Sequence, residues 1–579
     1  MPDRLATLLP YPVRVRAMPG QLVLSADTPV SAGPHAQQQA QAVRNVLAAI
    51  PWPADVALSS QDRAAQAEIL VDSDASLPAE GYRLLIGPDR VKIAASDPAG
   101  ASYAAQTIRQ LLPDDAYRAA PVPAPAWPVP CAEIEDAPAL PWRGAHLDVS
   151  RHFFPKPTVL RFIDMLAAHK MNRLHLHLTD DQGWRIESPS HPALHEVGSH
   201  RPQTLVGRAH TQPESYDGTP HGGYYTLADL AEISGYAADR MVQVVPEVEV
   251  PGHASALLAA LPELAPSPGM HSEVATGWGI FPQIISPLPG TVAVLEDIFG
   301  ELLGAVPASV VHIGGDECVL DHWRDSPQVE EYRRQLGLPG PDALHAYFLR
   351  QVADMLAASF GARAVVWDEG FVSTETGQPL RDDTLVMAWR GEDVARKAAL
   401  AGHDVISAPV RPTYFDYAQS DSETEPLSIG GPVTIEDVAA HQPVPDGWPE
   451  QAARHLVGTQ FQLWSEYIPD SRALDYMTFP RACALAEVAW HGGPSPWAGT
   501  QEGTQDGTQT GGSDRPALRD RVTAHLGRLA AAGVEYRPLA GPHPWQQGGT
   551  GARRHQRGYK ITDVSKHLSG LTETGAHSS

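Results

Sequence analysis

From residue 142 onward the chain repeats one pattern: a short apolar run, a polar loop, then an amphipathic helix. Apolar runs at 143–148, 173–178, 242–247, 310–314, 364–368, 385–389, 405–408 and 457–464 read as eight buried strands. In the second, Leu174, Leu176 and Leu178 alternate with His175 and His177, the two-residue period of a strand. Between strands the period changes to that of a helix. Val159, Phe162, Ile163 and Leu166 fall on one helical face, as do Leu295, Ile298, Phe299 and Leu302. Thr226-Leu227-Ala228-Asp229 has the form of a capping box opening a helix. Further helices are expected at 343–360 and 392–401, and Val522, Leu526 and Leu529 place the last barrel helix at 519–532.

Residues 1–140 follow a different pattern. Strands are expected at 68–71, 82–86 and 91–94, with a turn at Gly87-Pro88-Asp89-Arg90 and a helix at 101–112. No cluster of polar residues marks a site there, so this unit reads as an α+β accessory domain. Prolines alternating with small residues over 121–130 favour an extended linker. The Gly-Thr-Gln repeats at 499–509 form a flexible insert near 497–513, and 546–579 reads as a disordered tail.

Eight strand–helix units over 141–545 point to an α/β protein whose main domain is a (β/α)8 TIM barrel preceded by the small α+β domain. Chemistry in such barrels gathers at the C-terminal ends of the strands. Each expected end carries a polar residue or a tryptophan: Asp148 and Arg151; Asp180 and Asp181; Glu247 and His253; Asp316 and Glu317; Trp367 with Asp368; Trp389; Tyr414 and Asp416; Trp464 and Glu466. Core packing does not account for that distribution, because buried indole N–H groups and charges need partners.

Composition narrows the class of partner. With 43 Lys+Arg against 68 Asp+Glu the formal charge is −25, which repels nucleic acids and anionic membranes. A neutral or cationic small ligand fits better. The three cysteines are too scattered for a disulfide framework, and no apolar run has the length of a signal peptide or a membrane span. A cytoplasmic protein is expected, with no nucleic-acid or membrane partner, as a monomer or homodimer.

The chemistry centres on Val310-Val311-His312-Ile313-Gly314-Gly315-Asp316-Glu317-Cys318, where a buried strand ends in a glycine turn and two adjacent carboxylates. Mutual repulsion and burial raise the proton affinity of one acid and leave the other ionised, a division of labour that suits acid-assisted bond cleavage. Tryptophans and a tyrosine facing a cleft suit the apolar C–H faces of a sugar, and carboxylates suit its hydroxyls. Adjacent residues on one strand end point in different directions, whereas a two-carboxylate retaining glycosidase needs carboxyls about 5 Å apart across the bond. The nucleophile is therefore expected to belong to the substrate.

His312-Ile313-Gly314-Gly315-Asp316-Glu317 resembles the signature of the family 20 glycoside hydrolases, the β-N-acetylhexosaminidases. The resemblance extends through Asp148-Val149-Ser150-Arg151-His152-Phe153, the stretch from His175 to Arg185, Val245-Pro246-Glu247 with Pro251-Gly252-His253, and Trp367-Asp368-Glu369. It continues in Trp389-Arg390-Gly391, Leu463-Trp464-Ser465-Glu466 and Phe479-Pro480-Arg481, and covers roughly 141–540. One departure is Phe415, where an aliphatic residue is expected between Tyr414 and Asp416. The resemblance implies exo-cleavage of a terminal N-acetylglucosamine or N-acetylgalactosamine from an oligosaccharide or glycoconjugate, through an oxazolinium intermediate and with no cofactor. It implies Glu317 as general acid and then base, Asp316 as acceptor of the acetamido N–H, and Tyr414 as donor to the acetamido oxygen. Trp367, Trp389 and Trp464 would enclose the acetamido methyl; Arg151, Asp416 and Glu466 would bind ring hydroxyls; Asp180 and His253 would pair behind Glu317.

Two other classes compete. An inactive sugar-binding protein would lack the acids and Tyr414, all of which are present. A metal-dependent hydrolase would use His312, Asp316 and neighbouring histidines, but His175 and His177 read as polar filling of the barrel, and no metal is expected. Asp181, Glu247, Asp368 and Glu369 read as loop supports.

Overall fold

The computed structural model describes residues 3–53, 67–123, 127–209, 212–270, 272–372, 379–498 and 515–548. Most of the expected insert, and all of the expected tail beyond 548, lie outside these residues.

The N-terminal domain is a six-stranded sheet built from Arg14–Leu24 (β1), Val30–Ala32 (β2), Glu68–Ser73 (β3), Tyr82–Ile86 (β4), Arg90–Ala95 (β5) and Trp127–Asp136 (β6), in the order β1-β6-β4-β5-β3-β2. Helices Gln37–Ala48 (α1) and Pro98–Leu111 (α2) pack together over it, and Val43, Val71, Leu84, Ile93 and Ile108 are all buried in their common core. The proline-rich stretch is not a linker along its whole length, because its second half is β6. Pro128 and Pro130 pair only with β1, since β4 runs alongside β6 no further than Ala132. A proline is tolerated where one flank of a strand is open, because its missing N–H costs no ladder bond there.

The main domain is a closed barrel of eight parallel strands: Trp142–Asp148 (β7), Arg173–His177 (β8), Gln243–Glu247 (β9), Val310–His312 (β10), Arg363–Trp367 (β11), Leu385–Ala388 (β12), Val405–Ser407 (β13) and Leu456–Phe461 (β14). All eight fall on the runs anticipated from the hydrophobic pattern. Val159, Phe162, Ile163 and Leu166 on helix Lys156–Ala168 (α3) are buried, as are Leu295, Ile298, Phe299 and Leu302 on Pro289–Ala305 (α4). The Thr226–Asp229 capping box opens Leu227–Ala238. The eighth helix differs from expectation. Arg481–His491 (α5) covers β14 and β7, while Leu518–Ala531 (α6) lies outside it and bridges to the N-terminal domain, with Arg528 donating to the Thr7 and Gln110 carbonyls. Phe415 fills the barrel wall, stacked on Phe461 with ring centroids 4.6 Å apart.

The two domains are bolted by buried charge. Asp136 accepts from Lys170 Nζ at 2.8 Å, Trp490 Nε1 at 2.8 Å and Tyr82 Oη at 2.9 Å, and Lys170 and Asp136 are both almost fully buried. Arg143, on the first barrel strand, reaches Glu80 at 2.6 Å. These contacts hold the barrel on its accessory domain by the end opposite the strand tips.

Candidate active site

The β10 strand ends at His312, and the chain then turns through Gly314 at φ +68° and Gly315 at φ +96°. Only glycine enters that region without a steric cost. At Gly314 a side chain would also collide with another residue, because a Cβ there would lie 1.7 Å from Glu249 Oε2. The turn delivers Asp316 and Glu317. Glu317 itself sits at φ +48°, as does His253 on the neighbouring loop, so two side chains of the site are held in backbone conformations that non-glycine residues rarely adopt.

His253 lies between two pairs of acids. Its Nδ1 is 3.1 Å from Asp181 and 3.4 Å from Asp180; its Nε2 is 3.5 Å from Glu317 Oε2 and 3.7 Å from Asp316 Oδ2. The nearer of the two rear acids is thus Asp181, whose Oδ1 also accepts from the Ser255 backbone at 3.0 Å. The Asp180–His253 contact is present but longer, and Asp181 does more than support a loop. Burial would strip the proton from His253, but the charge of Asp180 and hydrogen bonds to Asp180, Asp181 and Glu317 outweigh it and hold its proton affinity well above the ordinary range. For Asp316 burial is the largest effect. It pushes the carboxyl up to about 6, with Glu317 and Glu247 adding repulsion and His253 opposing.

Arg151 ties the first two strand tips together. Its guanidinium is 2.8 Å from Asp180 and 3.3 Å from Asp148, donates to Gln182 at 3.0 Å, and lies 4.9 Å over the Trp464 ring. Burial alone would raise Asp180, but the Arg151 and His253 charges and hydrogen bonds from His177 and His253 keep it ionised.

The aromatic side chains form a cluster that begins beside Arg151, at Trp464. Trp367 and Trp464 have ring centroids 5.8 Å apart, Tyr414 lies 6.5 Å from Trp464, and Trp389 lies 6.3 Å from Tyr414. Two of the indole N–H groups bond acids: Trp367 donates to Glu247 at 3.0 Å and Trp389 to Glu369 at 2.9 Å. Burial and the charge of Asp416 keep the Tyr414 phenol protonated far above its usual range, leaving it a hydrogen-bond donor. Asp416 is buried, and burial followed by repulsion from Glu466 raises its proton affinity; its Oδ1 has no partner among the described residues. Burial likewise raises Glu466, against the pull of Arg151. All eleven residues expected at the site therefore stand on the C-terminal rim of one barrel.

Sequence reasoning passed over Glu249. It is buried with neither carboxylate oxygen hydrogen-bonded among the described residues, against the glycine turn and with Oε1 3.9 Å from His177 Nδ1, and burial followed by repulsion from Asp316 and Glu247 holds it protonated. A signal for it exists: Glu247 and Glu249 are two residues apart, the spacing that puts them on one face of an extended chain. Glu247 and Glu369 are likewise more than loop supports, since each fixes a tryptophan. The histidines His175, His177 and His312 lie 2.9, 2.5 and 2.7 Å from Glu247 oxygens. These separations are closer than two ligand atoms sit across a zinc ion with bonds of about 2.1 Å.

Comparison with known proteins agrees with this geometry. Residues 140–493 match the model described as glycosyl hydrolase family 20, catalytic domain, and residues 6–137 that described as glycosyl hydrolase family 20, domain 2. A β-hexosaminidase of Porphyromonas gingivalis is 38% identical over 72% of this chain, which spans only 52% of that protein's length. One of Akkermansia muciniphila is 33% identical over 76% of this chain and 85% of its own length. The solved GH20 β-N-acetylhexosaminidase of Streptomyces coelicolor A3(2) superposes with a TM-score of 0.73 at 30% identity, over 93% of this chain and 99% of that one. The chain belongs to glycosyl hydrolase family 20, with the family's domain 2 as its N-terminal sheet and the catalytic domain as its barrel.

Proposed function

We propose that the rim cleft removes a terminal non-reducing N-acetylglucosamine or N-acetylgalactosamine from an oligosaccharide or glycoconjugate, with retention, and that the substrate's own 2-acetamido oxygen is the nucleophile. The observation that carries this reading is that Glu317 and Asp316 approach the same His253 nitrogen, at 3.5 and 3.7 Å. Two carboxylates that share one imidazole nitrogen lie on the same side of the cleft. They are poorly placed to flank a glycosidic bond from opposite faces, as an enzyme nucleophile and its acid partner must.

In this mechanism Glu317 protonates the leaving oxygen while the acetamido carbonyl attacks the anomeric carbon; the C–O bond to the leaving group breaks as the oxazolinium ring closes. Asp316 accepts the acetamido N–H and faces the positive charge that develops on the ring. Tyr414 donates to the acetamido oxygen and holds it in line, and Trp367, Trp389 and Trp464 enclose the methyl group. Arg151, Asp416 and Glu466 take the ring hydroxyls. Glu317, now ionised, removes a proton from the water that opens the oxazolinium. The Vibrio harveyi family member solved in complex with N-acetylglucosamine, which is 27% identical with a TM-score of 0.74, supports the choice of sugar.

The test is cleavage of aryl N-acetylglucosaminide and aryl N-acetylgalactosaminide beside the deacetylated aryl glucosaminide. The acetylated substrates are expected to be hydrolysed with retained anomeric configuration and the amine to be inert. Equal rates on the amine, or inversion, would overturn the mechanism.

A further inference from the structure

We infer that Glu247 is a positioning residue that joins the acetamido pocket to the acid–base: it fixes Trp367 on one side and, through His177, Asp180 and His253, governs the proton held by Glu317 on the other. The contacts form an unbroken path. Glu247 Oε1 accepts from Trp367 Nε1 at 3.0 Å; Glu247 Oε2 lies 2.5 Å from His177 Nδ1; His177 Nε2 lies 2.9 Å from Asp180 Oδ2; Asp180 Oδ1 lies 3.4 Å from His253 Nδ1; and His253 Nε2 lies 3.5 Å from Glu317. Carboxylate and imidazole alternate along it. His177 and Glu247 are both completely buried, so neither charge is screened by solvent.

The alternation has an electrostatic consequence. Burial opposes a charge on His177, but Glu247 and Asp180 on its two nitrogens hold its proton up to about 10, making it an imidazolium at neutral pH. That cation supports the ionised state of Asp180, which with Asp181 keeps His253 cationic beside Glu317. The surrounding groups are disposed in two sets. Around the His177 end stand Asp148, His146, His175, His312 and Glu249, whose Oε1 is 3.9 Å from His177 Nδ1. Around the His253 end stand Arg151, Asp181, Glu249, Asp316 and Glu317. His146 and His175 are both held neutral, first by burial, whereas His177 keeps its proton.

Removing the Glu247 charge takes from His177 its largest electrostatic support and one of its two hydrogen-bonded carboxylates, and burial then takes its proton. His177→Phe removes the cation alone, so Asp180 loses a cationic neighbour, the field reaching Glu317 becomes more negative and Glu317 keeps its proton to higher pH. Glu247→Gln removes one negative charge and, with the His177 proton, one positive charge, and at Glu317 the two largely offset each other. Loss of one uncompensated unit charge in a partly polarisable interior is worth roughly half a pH unit or more.

This inference rests on the reading of Glu317 as acid–base, and the experiment separates the two. The pH dependence of kcat/KM on an aryl N-acetylglucosaminide is measured for the unaltered enzyme, Glu247→Gln, His177→Phe and their combination, with Glu317→Gln as reference. The basic limb is expected to move up by roughly half a unit or more in His177→Phe, and to move less in Glu247→Gln and in the combination, because there the lost anion offsets the lost cation. Trp367→Phe, which keeps the Glu247 charge, is expected to weaken a thiazoline inhibitor about 10-fold while leaving the limb in place. If Glu247→Gln does not fold, His177→Phe against Trp367→Phe carries the same comparison. A folded His177→Phe whose limb does not move, or a combination whose limb moves as far as in His177→Phe alone, would overturn the coupling. Turnover by Glu317→Gln equal to that of the unaltered enzyme would instead overturn the acid–base assignment beneath it.

Discussion

His253 and Glu317 face each other across 3.5 Å, and both hold a backbone φ of +48°. The left-handed conformation costs an L-residue about 1 kcal/mol, so this pair is held against its local preference by the elements around it. The glycine turn positions one partner, and hydrogen bonds to Asp181 and Asp180 position the other. A pair arranged at such a cost fits the acid–base role proposed for Glu317. Glu317→Gln keeps the side chain's shape and removes its acid. Hydrolysis of substrates with poor leaving groups is expected to fall by roughly 100- to 10,000-fold, the range that general acid–base catalysis supplies. Aryl glycosides with acidic leaving phenols need less protonation and are expected to lose less. Equal losses across a series of leaving-group pKa values would remove Glu317 from the acid role.

Asp316 carries a separate pH signature. Its carboxyl titrates at about 6 in the fold against an ordinary value of 3.8, so the folded state binds a proton over that window that the unfolded chain has already released. A raised carboxylate pKa makes stability fall as pH rises from about 4 to 6, by on the order of 3 kcal/mol in all. Activity runs the other way, since Asp316 has to be ionised to face positive charge. Asp316→Asn is therefore expected to raise the thermal midpoint at pH 7, to change it little at pH 4, and to abolish most turnover. Calorimetry at the two pH values checks the sign; a variant less stable at pH 7 would mean that the ionised carboxylate is not a liability to the fold.

Much of this site is legible in the hydrophobic pattern, for identifiable reasons. Barrel strands buried on both faces are short apolar runs, and their tips are the points where such runs meet acids and tryptophans, so β7 to β14 and the rim residues emerge together. The N-terminal domain is harder to read. β1 contains Pro19 and Gly20 and looks like a turn; its pairing with β6 shifts register between Ala17 and Gln21, and the irregularity absorbs both residues. β6 is hidden by its prolines, whose tolerance depends on which neighbour runs alongside. The choice of α5 over α6 as eighth helix depends on packing that amphipathic period does not encode, since both present an apolar face. Within the site, the preference of His253 for Asp181 over Asp180 turns on a few tenths of an ångström, and adjacent acids cannot be ranked from order alone.

The interface between the domains offers a stability test away from the cleft. Lys170 and Asp136 are buried, 2.8 Å apart, and Lys170 also stands 4.6 Å over the Trp490 ring. Breaking such a pair by removing one partner leaves the other charge stranded and costs about 3–5 kcal/mol. Asp136→Asn and Lys170→Met are each expected to lower the unfolding free energy by that order, and the urea midpoint with it. The double replacement is expected to cost less than the two single losses combined, because it strands neither charge. Urea titration followed by tryptophan fluorescence reads the effect. Additive losses would show that the two residues act independently and that the bolt is not a pair.

Gly314 tests whether the turn, rather than the acids alone, sets the geometry. Its φ of +68° is costly for any residue with a Cβ, and that Cβ would sit 1.7 Å from Glu249 Oε2, an impossible contact that forces the glutamate or the turn to move. Displacement of the turn carries Asp316 and Glu317 with it, and a misplacement near 1 Å can cost about 100-fold in rate. Gly314→Ala is expected to lose about that much in kcat, together with about 1 kcal/mol or more of stability. Combining Gly314→Ala with Glu249→Ala removes the collision and leaves only the backbone cost. The double variant should therefore recover stability relative to Gly314→Ala while also losing the buried acid that presses on the turn. Failure to recover would mean that the left-handed backbone, and not the carboxyl of Glu249, is what reserves this position for glycine.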